Sequence, residues 1–256
     1  MNEIIDKIYR YIEQNNMLTD CERVVIGLSG GADSVCLLMV LKGYIEKKHL
    51  QTELCAVHVN HGIRQEAGDD EEFARALCER MGVRFTAYHI DAIELAKQLG
   101  MSVEEAGRKE RYRIFNEECQ GCNARIAVAH HMNDQAETVL MNLARGTSLK
   151  GIGGIRPVRD NIIRPLLSVT RAEVEEVLKD FNQPYVTDAT NLCNDYTRNC
   201  LRNVVIPYMT EKVNAHTVEN IADAAVELQK NFDFIEAEAD KAYEKHVPEE
   251  TTDKRD

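Results

Sequence analysis

The chain has 256 residues, of which 44% are hydrophobic and 29% charged, and its formal net charge is −12. This balance is typical of a globular protein and allows one sizeable α/β domain with a smaller appendage. The acidity argues against indiscriminate binding to nucleic acid. No apolar run approaches the ~20 residues of a membrane span, and no apolar signal segment follows the polar start, so a soluble, cytoplasmic protein without a membrane partner is expected.

Short apolar runs alternate with helix-like segments through the first two thirds of the chain. The runs predict four strands and the seed of a fifth, at residues 23–28, 54–59, 84–88, 125–129 and 162–163. Helices are predicted between them, at residues 35–47, 66–81, 102–118 and 134–143. Continuous apolar strands that alternate with helices indicate an α/β fold with a five-stranded, parallel, doubly wound sheet. Ligands of such sheets bind beyond the carboxyl ends of the strands.

The pattern changes after residue 170. Helices are predicted at 171–180, 198–208 and 217–245, and the Glu-rich and Lys-rich last ten residues look frayed. We therefore expect residues 1–210 to form the main domain and 211–256 to form a long helix with an acidic tail. That helix could serve a homodimer, a partner domain, or neither.

Eight cysteines are present, and Cys36 and Cys55 lie inside apolar runs. In a cytoplasmic protein most of them are expected to be reduced. Cys119 and Cys122 form a Cys-x-x-Cys pair without a partner pair, which is a weak metal signal.

A loop of small and polar residues follows the first strand and opens the next helix. Its six residues are Ser29, Gly30, Gly31, Ala32, Asp33 and Ser34. Small residues let the backbone approach an anion, and the N–H groups of the helix start can bind a phosphate. Asp33 would repel phosphate, so it is expected to hold Mg²⁺ or to meet a cationic group. A tight turn without a ligand is the alternative.

The motif Ser-Gly-Gly-x-Asp-Ser resembles the signature of the PP-loop ATP pyrophosphatases. That resemblance implies that the loop holds the pyrophosphate end of ATP, which is cleaved between the α- and β-phosphates while a carbonyl is adenylated. Residues 1–210 would then be the ATP-binding catalytic domain.

Further stretches resemble one branch of that class, the tRNA(Ile)-lysidine synthetase family. They cover residues 20–208 in order and lie at 58–64, 105–112, 130–138, 145–154, 164–167, 188–191 and 198–199. The resemblance implies that free L-lysine is joined to C2 of the wobble cytidine of tRNA(Ile) with a CAU anticodon, through an adenylated intermediate. Many members continue into further C-terminal domains, so a short-form or truncated member with weaker tRNA affinity is expected. Gly107, where the family usually has Ala, is expected to matter little.

The implied reaction requires groups that hold a cationic amino acid. Asp134 and Glu137 are three residues apart and share one helix face near the exit of the fourth strand. We expect them to bind lysine and one of them to take a proton from its ε-amine. Capping by Asp134 beside a solvated Glu137 is the alternative.

Several basic residues are candidates for contacts to ATP. Arg108 and Arg111 lie three residues apart on one predicted helix, and either could meet the α-phosphate of ATP. The resemblance to the family motif favours Arg108. The alternative is that both arginines belong to an exposed face of ion pairs. His58, His61 and His130 follow strands, and they could contact ATP or hold the loops in place. A metal site at His58 and His61 lacks an evident third ligand.

Contacts to tRNA are expected from arginines, because the chain has no Trp for base stacking. Residues 141–171 hold six bases and one acid, which is either a phosphate-facing patch or a solvated segment that offsets acids elsewhere. The candidates for phosphate contacts are Arg145, Arg164, Arg198 and Arg202. Two alternative functions stay open: a tRNA thiolase, through Cys119 and Cys122, and a non-catalytic module that binds nucleotide and tRNA.

Overall fold

The computed structural model describes residues 3–62, 67–187 and 197–246 of the chain. Its strands are β1 (Arg23–Gly27), β2 (Glu53–Asn60), β3 (Arg84–His89), β4 (Ala124–Ala127), β5 (Val158–Arg159) and β6 (Ile162–Ile163). Its α-helices are α1 (Glu3–Gln14), α2 (Ala32–Lys47), α3 (Ala67–Met81), α4 (Ala92–Leu99), α5 (Val103–Glu118), α6 (Met132–Arg145), α7 (Leu149–Ile152), α8 (Arg171–Asp180), α9 (Thr197–Cys200), α10 (Ile206–Lys212) and α11 (Thr217–His246). A 3₁₀ turn at Pro165–Ser168 and a π-helical turn at Leu201–Val205 complete the described elements.

The strands form one sheet in the order β3-β2-β1-β4-β6-β5. Strands β3, β2, β1, β4 and β6 are parallel, as predicted. Strand β5 pairs antiparallel with β6 at the edge of the sheet. The edge strand β5 was not predicted, because Val158-Arg159 has a single apolar residue, whereas β6 is the apolar pair Ile162-Ile163. The chain runs outward from β1 to β3 and then returns to β4 on the other side of β1. The carboxyl ends of β1 and β4 therefore form the topological switch point, where ligands of such sheets bind.

Alternate residues of the central strands enter different cores. Val24 and Ile26 pack on one face of the sheet with α1, α2, α3 and α8, whereas Val25 packs on the other face with Ile114 and Phe115 of α5. Successive side chains of a strand point to opposite faces, so burial on both faces requires an unbroken apolar run. That requirement explains why the strands were visible in the sequence.

Three of the described helices were not predicted from the sequence, namely α1, α4 and the four-residue α7. The first, α1, buries Ile5, Ile8, Tyr9 and Ile12 at the spacing of one helical face. The second, α4, begins after Asp91, whose side chain accepts hydrogen bonds from two backbone N–H groups, and ends at Gly100 in the left-handed conformation. The signals of α1 and α4 were present but short.

The first half of α11 packs on the main domain through Val218, Ala222 and Ala225, whereas residues 233–245 are exposed. Its bounds agree with the predicted helix at 217–245. None of the described helices is long and apolar enough to cross a lipid bilayer.

Candidate active site

The predicted phosphate-binding loop, residues 29–34, is called the phosphate loop below. It lies at the switch point, between the end of β1 and the start of α2. Gly30 has a φ of +85°, and a Cβ there would lie 3.4 Å from Val186 Cγ2, so the position requires glycine. Gly31 precedes α2 without a side chain that caps it. The Ser34 hydroxyl donates to Gly31 O at 2.9 Å and accepts from Ser29 N at 3.2 Å. The loop is thus braced from within, while the first N–H groups of α2 stay available to an anion.

A cavity of about 420 Å³ opens beside the loop, within the size range of small-molecule sites. Its lining combines apolar side chains, among them Val57, Val59 and Phe115, with polar and charged ones. The cavity is lined by Gly27, Leu28, Ser29, Gly31, Asp33, Ser34, Val57, Val59, His61, Arg111, Phe115, Ala127, Val128, Ala129, His130 and Asp134. Apolar side chains and an anion cradle in one cavity are what a nucleotide requires.

Asp33 meets a cationic group, one of the two outcomes expected from the sequence. Its Oδ2 accepts from Arg171 Nη1 at 2.5 Å, and His131 Nε2 lies 3.7 Å from its Oδ1. Burial raises the pKa of Asp33, against the opposing effects of His131 and Arg171. Oδ1 is buried and has no hydrogen-bond donor among the described residues. A single free carboxylate oxygen fits Mg²⁺, which keeps water and phosphate oxygens as its other ligands.

Asp134 and Glu137 share one face of α6, as predicted, but two arginines already occupy them. Glu137 accepts from Arg198 Nε at 2.7 Å and from Arg202 Nε at 2.6 Å. Asp134 Oδ1 accepts from the same two side chains at 2.9 and 3.1 Å. Its Oδ2 accepts from His131 N at 3.0 Å, so Asp134 also caps the helix, but the solvated Glu137 of that alternative is not found, because Glu137 is buried. Glu137 is 1% exposed and lies behind the cavity wall, whereas Asp134 lines the cavity.

Arg198 and Arg202, which were predicted to contact tRNA phosphates, therefore lie against Asp134 and Glu137. Both guanidinium groups bind carboxylates, and both side chains are 38% exposed. Burial acts to raise the pKa of Asp134, but His131, its backbone N–H and Arg198 outweigh it and leave the pKa low. Asp134 is consequently ionised near neutral pH.

The histidines play different structural parts. His58 is buried, and its ring donates from Nδ1 to Leu28 O at 2.9 Å, since a carbonyl can only accept; this bond holds the strand end before the phosphate loop. His61 and His130 line the cavity, and burial lowers the pKa of each to about 4. Both are therefore neutral at pH 7. Among the described residues no three His, Cys, Asp or Glu side chains gather as ligands for a metal ion.

The structure separates the two arginines of α5. Arg111 lines the cavity, and burial followed by the nearby Arg108 charge lowers its pKa. Arg108 instead lies over the Tyr112 ring, with 5.4 Å from its guanidinium carbon to the ring centroid. Arg111 is thus the better placed of the two for a phosphate, while the family motif had favoured Arg108.

The basic segment 141–171 does not form one patch. Arg164, predicted as a tRNA contact, is 7% exposed and donates to His130 Nδ1 at 3.2 Å and to Arg156 O at 2.8 Å, so it braces His130. Arg156 makes a two-point ion pair with Asp233 of α11, at 2.9 and 2.6 Å. Arg145, Lys150 and Arg159 are the exposed members that stay available to a phosphate backbone.

Other residues of the site could not be found in the sequence, or lie outside the described part. The approach of Arg171 to Asp33 crosses 138 positions of the chain. Gly107 is also more constrained than expected, because a Cβ there would lie 3.1 Å from His61 Nδ1. The resembling residues 63–64 and 188–191 fall outside the described ranges.

Cys119 and Cys122 lie at the amino end of β4, at the opposite edge of the sheet from the cavity. All the described cysteines are free thiols, and Cys36 and Cys55 are buried, as predicted. Burial raises the pKa of the Cys119 thiol to about 11, which makes it a poor nucleophile.

Sequence comparison places the chain among known proteins. The sequence profile of the PP-loop domain matches residues 2–209. The tRNA(Ile)-lysidine synthase of Caldanaerobacter subterraneus subsp. tengcongensis is 43% identical over 242 residues, which are 94% of this chain and 51% of that protein. The enzymes of the same name from Clostridioides difficile and Bacteroides thetaiotaomicron are 43% and 40% identical, over 94% and 81% of this chain and 52% and 48% of their own. The chain thus spans about half the length of the curated relatives it matches.

Solved structures share the fold at low sequence identity. The U34-tRNA thiolase NcsA from Methanococcus maripaludis, solved with its 4Fe–4S cluster, superposes with a TM-score of 0.69 at 22% identity, covering 89% of this chain and 80% of that one. NMN synthetase from Francisella tularensis superposes with a TM-score of 0.50 at 20% identity, covering 71% of each chain. These likenesses concern the fold alone.

Proposed function

This chain belongs to the PP-loop domain family, and on that premise we propose that it uses ATP to join lysine to C2 of the wobble cytidine of tRNA(Ile). The observation that carries the proposal is one cavity lined by both the residues of the phosphate loop and the carboxyl group of Asp134. An anion cradle and a cation-binding carboxylate at one switch point suit a reaction between ATP and an amine. The relatives named tRNA(Ile)-lysidine synthase support the choice of that reaction.

ATP would bind along the cavity from the loop to the apolar side chains of its lining. The first N–H groups of α2 and the Ser29 hydroxyl would hold the β- and γ-phosphates, which leave as pyrophosphate. Val57, Val59 and Phe115 offer apolar contacts to a purine ring. Arg111 would meet the α-phosphate, with Arg108 as the second candidate. A Mg²⁺ ion held by the free oxygen of Asp33 would neutralise charge on the pyrophosphate.

The first chemical step makes a poor electrophile reactive. The C2 carbonyl oxygen of cytidine attacks the α-phosphorus of ATP, and the bond to pyrophosphate breaks. The lysine ε-amine then forms a bond to C2, and the C2–O bond breaks with release of AMP. The ε-amine must lose its proton before it attacks, because an ammonium group has no lone pair.

The lysine site would be built around Asp134. This carboxylate lines the cavity, so an ammonium group meets it first. Glu137 becomes accessible only if Arg198 or Arg202 moves, because both guanidinium groups cover it. The charges of the two carboxylates and the two arginines cancel, so entry of a cation favours the displacement of a guanidinium group. The low pKa of Asp134 keeps its carboxylate anionic, so it would hold and orient the ammonium group, whose proton would leave to water.

The tRNA would lie over the exposed basic residues beside the cavity mouth. Arg145, Lys150 and Arg159 are exposed and could meet backbone phosphates. Cytoplasmic location follows from the proposed substrate. A homodimer through α11 stays a prediction, and its exposed Phe234 and Ile235 are the side chains that would serve it.

The proposal is tested by AMP release from ATP in the presence of tRNA(Ile) transcript and lysine, with each component omitted in turn. Mass analysis of the wobble nucleoside accompanies the assay. We expect AMP only when ATP, tRNA and lysine are all present, and the wobble nucleoside should then gain a lysyl group. ATP binding without AMP under any supply would replace the proposal with a non-catalytic module, and incorporation of sulfur would replace it with a thiolase.

A further inference from the structure

The contact between Arg171 and Asp33 has no part in the chemistry described above. Arg171 is the first residue of α8 and approaches the phosphate loop from outside the cavity. Its Nη1 donates to Asp33 Oδ2 at 2.5 Å, and its Nε donates to Glu175 at 2.8 Å. The guanidinium group is therefore held at two points, and one of them is the acidic residue of the loop.

The backbone under Arg171 is fixed as firmly as its side chain. Its N–H donates to Asn133 Oδ1 at 2.9 Å, which ties α8 to the first turn of α6. Thr170 and Glu173 close a capping box at the start of α8, and Met132 N donates to Val169 O at 2.8 Å. Three helix starts, those of α2, α6 and α8, thus meet around Asp33.

The two carboxylate oxygens of Asp33 differ in their hydrogen bonding, because Arg171 binds only one of them. Oδ2 is engaged by Arg171, whereas the buried Oδ1 has no donor among the described residues. With Oδ2 pinned, the carboxylate cannot rotate, and Oδ1 keeps one orientation. The guanidinium charge also offsets the carboxylate charge, which would otherwise repel an anion in the loop.

We propose that Arg171 is a positioning residue of the phosphate site, which holds Asp33 through one oxygen so that the other receives the Mg²⁺ of bound Mg–ATP. The inference rests on the proposed ATP site but not on the identity of the amine or the tRNA. It explains how an aspartate can stand in a phosphate loop. It also assigns a function to an arginine that lies outside the cavity.

The test is calorimetric titration of Mg–ATP into the chain, without tRNA or lysine. Arg171→Ala should weaken binding by about tenfold to a hundredfold, as expected for loss of a charge-assisted bond, and should raise the Mg²⁺ concentration needed for half-maximal binding of ATP. Arg171→Lys should recover part of the loss, because it keeps the charge without the fork. Arg113→Ala is the matched control, since it removes an exposed arginine that forms ion pairs with Glu110 and Glu117 of α5.

A double substitution separates positioning from general support of the fold. In an Asp33→Asn background, Arg171→Ala should change the affinity for Mg–ATP less than about twofold, because the two residues act as one unit. An equal loss in both backgrounds, or an unchanged Mg²⁺ requirement in Arg171→Ala, would overturn the inference. A wild-type chain that binds no Mg–ATP would overturn the proposed function and this inference with it.

Discussion

Replacement of Glu137 by Gln tests whether the buried carboxylate pair binds lysine or only anchors the helix that carries the two arginines. Glu137 is 1% exposed and accepts three hydrogen bonds, from Arg198 Nε at 2.7 Å and from Arg202 Nε and Nη2 at 2.6 and 3.1 Å. A glutamine keeps the shape but places an NH₂ group where one oxygen accepted. At least one guanidinium donor must then turn away.

The expected cost follows from that geometry. A hydrogen bond to a charged group contributes about 1.5–3 kcal/mol, but both arginines are 38% exposed and can turn to water. We therefore expect the free energy of unfolding to fall by about 2 kcal/mol, which lowers Tm by roughly 4–8 °C for a chain of this size. Loss of one carboxylate charge at the lysine site should raise KM for lysine by about tenfold or more, with kcat largely recovered at saturating lysine.

The assay is AMP release at saturating ATP and tRNA with lysine varied, beside thermal unfolding of the same preparations. Glu176→Gln, at an exposed position of α8, is the matched control and should change neither quantity. A variant that melts lower but keeps the wild-type KM for lysine would show that Glu137 only anchors the arginines. That result would remove it from the lysine site.

Three further predictions follow from single contacts. Gly107→Ala should raise KM for ATP severalfold without loss of stability, because the added methyl would lie 3.1 Å from His61 Nδ1 in the cavity. Activity at varied ATP and thermal melting of the same preparation check this. An unchanged KM would contradict it. Burial lowers the pKa of His130 from 6.5 to about 4, so below pH 6.5 the unfolded chain binds a proton that the folded chain does not. Stability should then fall by about 2 kcal/mol between pH 7 and pH 5 relative to His130→Asn, measured by urea unfolding; equal slopes would refute the assignment. Gln229→Leu removes a donor to the buried carbonyl of Gly153 and should lower the free energy of unfolding by about 1–2 kcal/mol in the same assay, and no loss would show that α11 is not anchored there.

Local patterns were enough to predict the fold and the position of the site. The central strands β1 and β2 were visible because they are buried on both faces, which demands a continuous apolar run, whereas the edge strand β3 is only half-buried. The phosphate loop was visible because its residues are adjacent in the sequence. Asp134 and Glu137 were assigned to one face because helix geometry fixes the relation between residues three apart.

Only the tertiary structure showed which charged side chains pair with each other when they lie far apart in the sequence. Arg171 meets Asp33 across 138 positions, and Arg198 meets Glu137 across 61. An arginine at a given position looks the same in the sequence whether it faces tRNA, binds a carboxylate or supports a histidine, as Arg164 does. The segment 141–171 was therefore predicted as one basic stretch, although Arg156 binds Asp233, Arg164 donates to His130 and Arg171 binds Asp33.

The sequence by itself determined the chemistry that is available at the ends of the strands, since the motif residues and their order in the chain are local facts. Only the tertiary structure decided which opposite charges neutralise these groups. The ionisation state and the electrostatic energy of a buried group depend on the charges within a few ångströms of it. Asp33 and Glu137 are each governed by arginines that the chain delivers from distant helices. The distances between these arginines and carboxylates are set by the packing of α6 and α8 on the sheet and by the position of the helical segment that carries Arg198 and Arg202. No short segment of the sequence can therefore reveal these contacts.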